Sequence, residues 1–345
     1  MENKITSLDR VLTTLGYKEP DKVPLFLLLS FYGAKELGIS IKEYFSQPEY
    51  VFEGQMKMAN KYNNDCLYPF YYGAVETEAF GGDTIFIENG PPNSGKPIIQ
   101  KPEEILKLQI PKIDNSEQLQ KVLQTIKMLK KEVGNEIPII GVAISPFSLP
   151  VMQMGFNNYL DLLHGNKELF DKLMKINQEF CINWSNAQLE AGATAICYFD
   201  PVSSPTIIPT EMYRKTGMQV ANYTIPKING PTATHFASGR SITIIDDVTQ
   251  TGTAIICPSS LEDIGEVKDK ANKRVAVLGN LNGIEMCRWT EKEAEQAVKN
   301  IIDKAGKGGG LIISDNHGEI PYQVHEKTLL AISNAVEKHG IYPLK

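Results

Sequence analysis

The fold class this sequence predicts is α/β, a single (β/α)8 barrel with an N-terminal extension and insertions. Three observations predict it. Eight short apolar runs rich in β-branched residues punctuate the 345 residues. Helical patterns separate several of them, so the strands pair in parallel and are buried on both faces. No G-x-G-x-x-G follows the first run, which disfavours an open dinucleotide-binding sheet.

The strand candidates are residues 23–29, 65–70, 138–145, 193–201, 232–238, 253–258, 274–281 and 310–314. Among the helices, Leu119, Val122, Leu123, Ile126, Leu129 and Val133 share one face, which ends at Gly134. Ala294, Ala297, Val298, Ile301, Ile302 and Ala305 form another, with Thr290 and Glu293 as a capping box. A last helix runs from about residue 323 to 338 and stops at a glycine. No linker or internal repeat interrupts the pattern, so residues 1–345 are expected to form one domain.

Composition narrows the function. Lys plus Arg is 35 against 41 Asp plus Glu, a net charge of −6, so a duplex nucleic-acid partner is not expected. The most apolar stretch, 23–34, falls short of the roughly 20 residues that a membrane span needs. The opening MENKITSLDR has no apolar leader core, which points to a cytoplasmic protein. Five cysteines without a CxxC pair read as reduced thiols: small buried hydrophobes, with Cys257 set apart by its place at a strand end.

In a barrel the chemistry sits at the C-terminal strand ends. There the sequence offers Asp200, His235, Cys257, Asn280 and Asn282, then Asp315, Asn316, His317 and Glu319; Asp65 stands at the start of the second run. Blander roles compete. Asp200 before Pro201 could form an Asx-turn, His235 could bond a core carbonyl, and His317 could serve a turn. His164, His325 and His339 lie in helical patterns and read as fillers.

Several segments resemble the uroporphyrinogen decarboxylase superfamily. They are RVLTTLGYKEPDKVPLF (10–26), NDCLYPFYYGAVETEAFGG (64–82), GATAICYFDP (192–201), TATHFASG (232–239), VLGNLNG (277–283) and GGGLIISDNHGEIP (308–321). The resemblance implies a (β/α)8 fold and two branches. The decarboxylases carry an arginine-rich segment after the first strand, whose guanidinium forks hold the substrate carboxylates. Here that stretch is LLSFYGAKELG (28–38), with no arginine. The run Glu76-Thr77-Glu78-Ala79-Phe80-Gly81 is similar instead to the corrinoid-dependent methyltransferases.

That branch implies a methyl transfer between a small methylated substrate and a corrinoid carried by a separate protein. Its coenzyme M members bind zinc through His-x-Cys and a later cysteine. This chain has His235-Phe236-Ala237 and His317, so a thiol acceptor is disfavoured and a methoxylated aromatic is the expected substrate. Asp200, His317 and Glu319 are the expected catalytic residues; Asp65, Tyr72, Glu76 and Asn280 are expected to bind substrate. If zinc is present, His235, His317 and Asp200 are its expected ligands. Phe31, Tyr32, Tyr68, Phe70, Tyr71 and Tyr72 would suit an aryl group. A coenzyme M-type transferase, a decarboxylase and a non-catalytic tetrapyrrole-binding barrel remain as alternatives, and a homodimer is compatible with such a barrel.

Overall fold

A computed structural model describes residues 5–344. The first four residues of the MENKITSLDR stretch, and Lys345 at the end of the expected domain, lie outside the described residues. All eight predicted runs act as barrel staves. In chain order the strands are β1 (Leu25–Phe26), β2 (Thr84–Ile85), β3 (Asn93–Ser94), β4 (Ile140–Ile144), β5 (Ala195–Phe199), β6 (Thr232–His235), β7 (Ile255–Cys257), β8 (Ala276–Leu278) and β9 (Leu311–Ser314). Seven of them form one parallel sheet in the order β1-β9-β8-β7-β6-β5-β4. Residues 65–68 close the ring: Asp65 N donates to Leu25 O (2.8 Å), Leu67 N to Pro138 O (2.9 Å), and Ile140 N to Leu67 O (2.9 Å). The hairpin β2–β3 is an excursion that the sequence reading did not anticipate.

Strand alternation sorts the core. Leu28, Cys66, Tyr68, Val142, Cys197, Ala233, Cys257, Leu278 and Ile312 pack together inside the barrel. Residues of opposite parity, such as Val277, Leu311 and Ile313, pack outward into the helical layer. Each such buried aliphatic side chain contributes about 1.5–3 kcal/mol. The helices follow their patterns closely. Glu117–Val133 ends at Gly134 with φ +55°, a conformation that favours glycine. Glu291–Ala305 starts from the predicted box, with Thr290 N bonding Glu293 Oε2 (2.7 Å) and Glu293 N bonding Thr290 Oγ1 (3.3 Å). The fifth run ends at His235 rather than residue 238, because Ala237 (φ 45°) and Ser238 (φ 69°) are left-handed and cannot continue a strand.

Asp65 is a correction to the expected substrate set. It sits at the N-terminal end of its stave, opposite the barrel mouth. There it accepts from Arg10 (2.5 Å), Ser7 Oγ (2.7 Å) and Leu25 N (3.0 Å), while Arg10 also grips Asp21 (2.6 Å). This network pins the helix Ser7–Leu15 across the bottom of the barrel. Replacing Arg10 by Ala leaves the buried Asp65 carboxylate without its cation. The expected cost is about 3–5 kcal/mol in urea unfolding, with the kcat of the surviving folded enzyme unchanged; a variant as stable as wild type contradicts this role.

Candidate active site at the barrel mouth

The loop after β9, residues 315–319, lies across the C-terminal opening and is tied to several neighbouring strand ends. Asp315 builds the loop itself: its Oδ2 accepts from His317 N and Gly318 N, both at 2.8 Å. Asn316 N donates to Leu281 O (2.9 Å), and Ser238 N donates to Asn316 O (2.6 Å). The Asn316 amide, oriented as its neighbours require, donates to Leu281 O (3.0 Å) and His317 Nδ1 (2.7 Å) and accepts from Ser260 N (3.1 Å). Tyr68, inside the barrel, donates its hydroxyl to Gly318 O (2.9 Å). Ser30, just past β1, donates to Glu319.

Two imidazoles meet here. His235 is fully buried at the end of β6, and its Nδ1 accepts from Ala237 N (3.0 Å). The proton of its neutral form therefore sits on Nε2, which has no hydrogen-bond partner. Burial, and then the nearby His317, lower the pKa of His235 to about 3, so it stays neutral. His317 is half-buried; burial lowers its pKa too, and Asn316 on Nδ1 again leaves Nε2 as the donor. Phe199 stacks on the His235 ring at 5.3 Å.

Gly318 (φ +85°) holds these groups together. A Cβ there would lie 2.5 Å from Phe199 Cε2 and 3.3 Å from His235 Nε2. The Gly318→Ala variant is therefore expected to lose about 1–3 kcal/mol of stability and most of its activity. A urea midpoint matching wild type would show that the loop does not press on His235.

The carboxyls are tuned by desolvation. Burial raises Glu319 to about 8, with Asp315 adding to the shift. Asp315 itself rises to about 6 through burial, against the backbone amides that hold it down, and its Oδ1 is unpartnered. Cys257, paired in register with His235, donates weakly to Asp315 O (3.8 Å), and burial keeps the thiol un-ionised.

Other expected residues fall elsewhere. Asp200 follows the outward-facing Tyr198 in parity, so its carboxylate leaves the barrel for a cradle of Ser145 and Ser148 (2.7 Å). Asn280 donates to Ser259 O (2.7 Å) and Glu262 O (3.0 Å), bracing the loop after β7. Tyr72 packs on Phe45 and Phe86 outside the barrel wall, with its hydroxyl on Glu78 (3.3 Å). The aromatic cluster is thus split: Tyr68 and Phe70 face the interior, Tyr71 and Tyr72 the outer layer.

Glu76 is buried between the end of β4 and the helix Lys167–Ala191. One oxygen accepts from Ile144 N (2.8 Å), and the other has no partner. Burial raises its pKa to about 8. The protonated acid is the form that suits this site, so its stability contribution is complete below pH 4.5 and is lost as pH rises to about 8. Glu76→Gln should match wild type near pH 5 and exceed it at pH 8.5 by roughly 3–5 kcal/mol. Parallel pH curves for the two proteins in urea would refute this.

The expected zinc ligands do not fit zinc. Asp200 points away from both imidazoles, and the described residues contain no group of three His, Cys, Asp or Glu side chains placed to hold a metal ion. A cavity of about 890 Å³ opens at the opposite end of the barrel, but its Arg10, Asp21, Asp65, Lys22 and Glu337 are already tied up in ion pairs. Sequence reading missed Ser30, Tyr68 as a loop anchor, and Gly318. Parity along the first two runs was the available signal, since it aims Leu28, Ser30, Cys66 and Tyr68 to one side.

A barrel whose strand ends converge on histidine and carboxyl groups is the framework of an enzyme. The chain belongs to the uroporphyrinogen decarboxylase (URO-D) family, which matches residues 6–339. Its relatives carry two chemistries. The uroporphyrinogen decarboxylase of Geobacter sulfurreducens is 26% identical over 335 residues, covering 91% of this chain and 94% of that protein. The methylcobamide:CoM methyltransferase MtaA of Methanosarcina barkeri is 26% identical over 162 residues, 47% of this chain and 48% of that protein. A methyltransferase from Methanosarcina mazei has the same fold, with a TM-score of 0.87 at 20% identity, covering 97% of this chain and 99% of that one. Among the described residues no helix is long and apolar enough to cross a membrane.

Proposed function

We propose that the chain, taken as one domain over 1–345, is a methyltransferase moving a methyl group from a methoxylated aromatic to a corrinoid borne by a separate protein. The observation that carries this reading is Glu319: a carboxyl held protonated up to about pH 8 and bonded by Ser30, on the same mouth loop as His317, whose Nε2 is a donor. Breaking an aryl methyl ether leaves the electron pair of the C–O bond on oxygen. That oxygen then needs a proton, and a neutral carboxylic acid supplies it without placing a second charge in the pocket. Ser30 orients the acid, and His317 can donate a second hydrogen bond to the departing phenolate. The methyl group leaves on the corrinoid, a co-substrate rather than a resident group.

The named decarboxylase relatives raise the competing chemistry. Against it stands the segment 28–38, whose only cation, Lys35, donates to Tyr322 O (3.1 Å) and Val324 O (3.0 Å) and lies over the Tyr32 ring. No guanidinium fork is offered there to a polycarboxylate.

Methyl transfer to a corrinoid protein should proceed with a panel of methoxylated aromatics and fall as pH rises through about 8, where Glu319 loses its proton. Glu319→Gln should lower kcat by about 10²–10⁴-fold and abolish that alkaline limb. Carbon dioxide release from uroporphyrinogen at an enzymatic rate, without methyl transfer from any panel member, would overturn the proposal.

A further inference from the structure

Asp200 is buried just past the end of β5, among hydroxyls rather than beside a cation. Burial raises its pKa, and neighbouring serine hydroxyls are what oppose the rise. A buried carboxyl is costly unless its oxygens are hydrogen-bonded, so its use lies in what those hydroxyls hold.

Both bonds meet one oxygen. Ser145 Oγ and Ser148 Oγ (2.7 Å) donate to Asp200 Oδ1. Ser145 Oγ also accepts from Ser148 N (3.0 Å), and Ser148 Oγ accepts from Val202 N (3.1 Å). The loop after β4 is thereby stitched to the loop after β5 through this one side chain. The backbone continues the tie on both sides: Ser145 N donates to Phe199 O (2.9 Å), and Asp200 N donates to His235 O (2.8 Å). Residues 199 and 200 are fixed between the ends of β4 and β6.

Phe199 is the part of this assembly that reaches the mouth. Its ring lies on the His235 imidazole, with 5.3 Å between centroids and 26° between planes. The backbone of Gly318 leaves no room for a Cβ against either ring. The imidazole is therefore held between an aromatic face and the mouth loop. One ring nitrogen, Nδ1, takes the Ala237 amide; the other, Nε2, carries the proton.

We propose that Asp200 is a positioning residue: by tying the two loops it keeps Phe199 against His235 and holds the imidazole in one orientation, with Nε2–H beneath Gly318. It acts as a hydrogen-bond acceptor, not as an acid or a metal ligand. Both serines use Oδ1, an atom that asparagine also provides, so the role does not require the charge.

The test reads the ring nitrogens of His235 by long-range ¹H–¹⁵N correlation in the full-length protein labelled at histidine. Loss of one set of signals in His235→Gln makes the assignment. Wild type should show a single Nε2–H tautomer, and Asp200→Asn should keep it. Asp200→Ala should give averaged tautomers, and so should Phe199→Leu, which leaves the serine cradle intact. Should Asp200→Ala fail to fold, Ser148→Ala removes one of the two hydroxyls and should move the signals the same way. A single tautomer in Phe199→Leu, or in the folded Asp200→Ala or its Ser148→Ala substitute, would overturn the proposal. Averaging in Asp200→Asn would overturn it too, because the charge would then matter.

A kinetic arm rests on the methyl-transfer reading above. Asp200→Ala and Phe199→Leu should each lower kcat about 10–100-fold, the scale of a misplaced catalytic group. The double variant should be no slower than the slower single one, since both act by one route. Multiplied losses would overturn the route through Phe199. If the tautomers behave as expected while wild type transfers no methyl group, the positioning role stands and the functional reading fails.

Discussion

The arrangement of the mouth depends on one carboxylate making two hydrogen bonds. Asp315 folds the chain back by accepting from the amides of His317 and Gly318. Without that turn the residues after β9 would continue along the strand and leave the barrel. With it, Gly318 drops onto the His235 ring, Glu319 reaches Ser30, and Asn316 faces the ends of β7 and β8. The turn is stabilised twice over: a buried carboxylate bonded to amides costs less than a bare one, and the amides would otherwise be orphaned. Its second oxygen remains unpaired, so this Asx-type turn keeps unused polar capacity directly above the barrel interior.

Desolvation, rather than ion pairing, is the largest influence on Glu319, Asp315, His235 and His317 at this end of the barrel. It pushes Glu319 and Asp315 up and His235 and His317 down, in each case toward the neutral form. At the opposite end the logic reverses: Arg10, Asp21 and Asp65 are charged and mutually compensated. The barrel thus separates a structural, ionic base from a mouth where burial disfavours charge. Such a mouth accommodates a neutral ether more readily than a polyanion, because each carboxylate of a polyanion would need its own counter-charge there.

Much of this was legible in the sequence, and the errors have a common origin. The eight staves, the capping box at Thr290 and the loop bearing His317 and Glu319 follow from apolar runs, turn residues and helical spacing. Asp200 was misassigned because proximity to a strand end was weighed without parity. Cys197 and Phe199 face inward, so the next residue faces out, into the serines. Tyr72 fails for a related reason, because the chain leaves the barrel wall before reaching it. The role of Gly318 was not legible, since it depends on the His235 ring lying beneath it, a contact across 83 residues that no local pattern encodes.

Family membership alone leaves both chemistries open, because decarboxylase and methyltransferase relatives share this barrel. What separates them physically is how negative charge is met. Decarboxylation of a many-carboxylate substrate calls for fixed cations near the mouth, whereas ether cleavage calls for one transferable proton. In this chain the single cation of segment 28–38 is spent on backbone carbonyls and an aromatic face, while Ser30 in the same segment supports a protonated glutamate. The short stretch after β1 therefore offers the mouth a neutral hydrogen-bond donor while its one cation is engaged elsewhere. On the proposed reading, that difference, more than any single residue at the strand ends, favours proton donation over anion binding at the mouth.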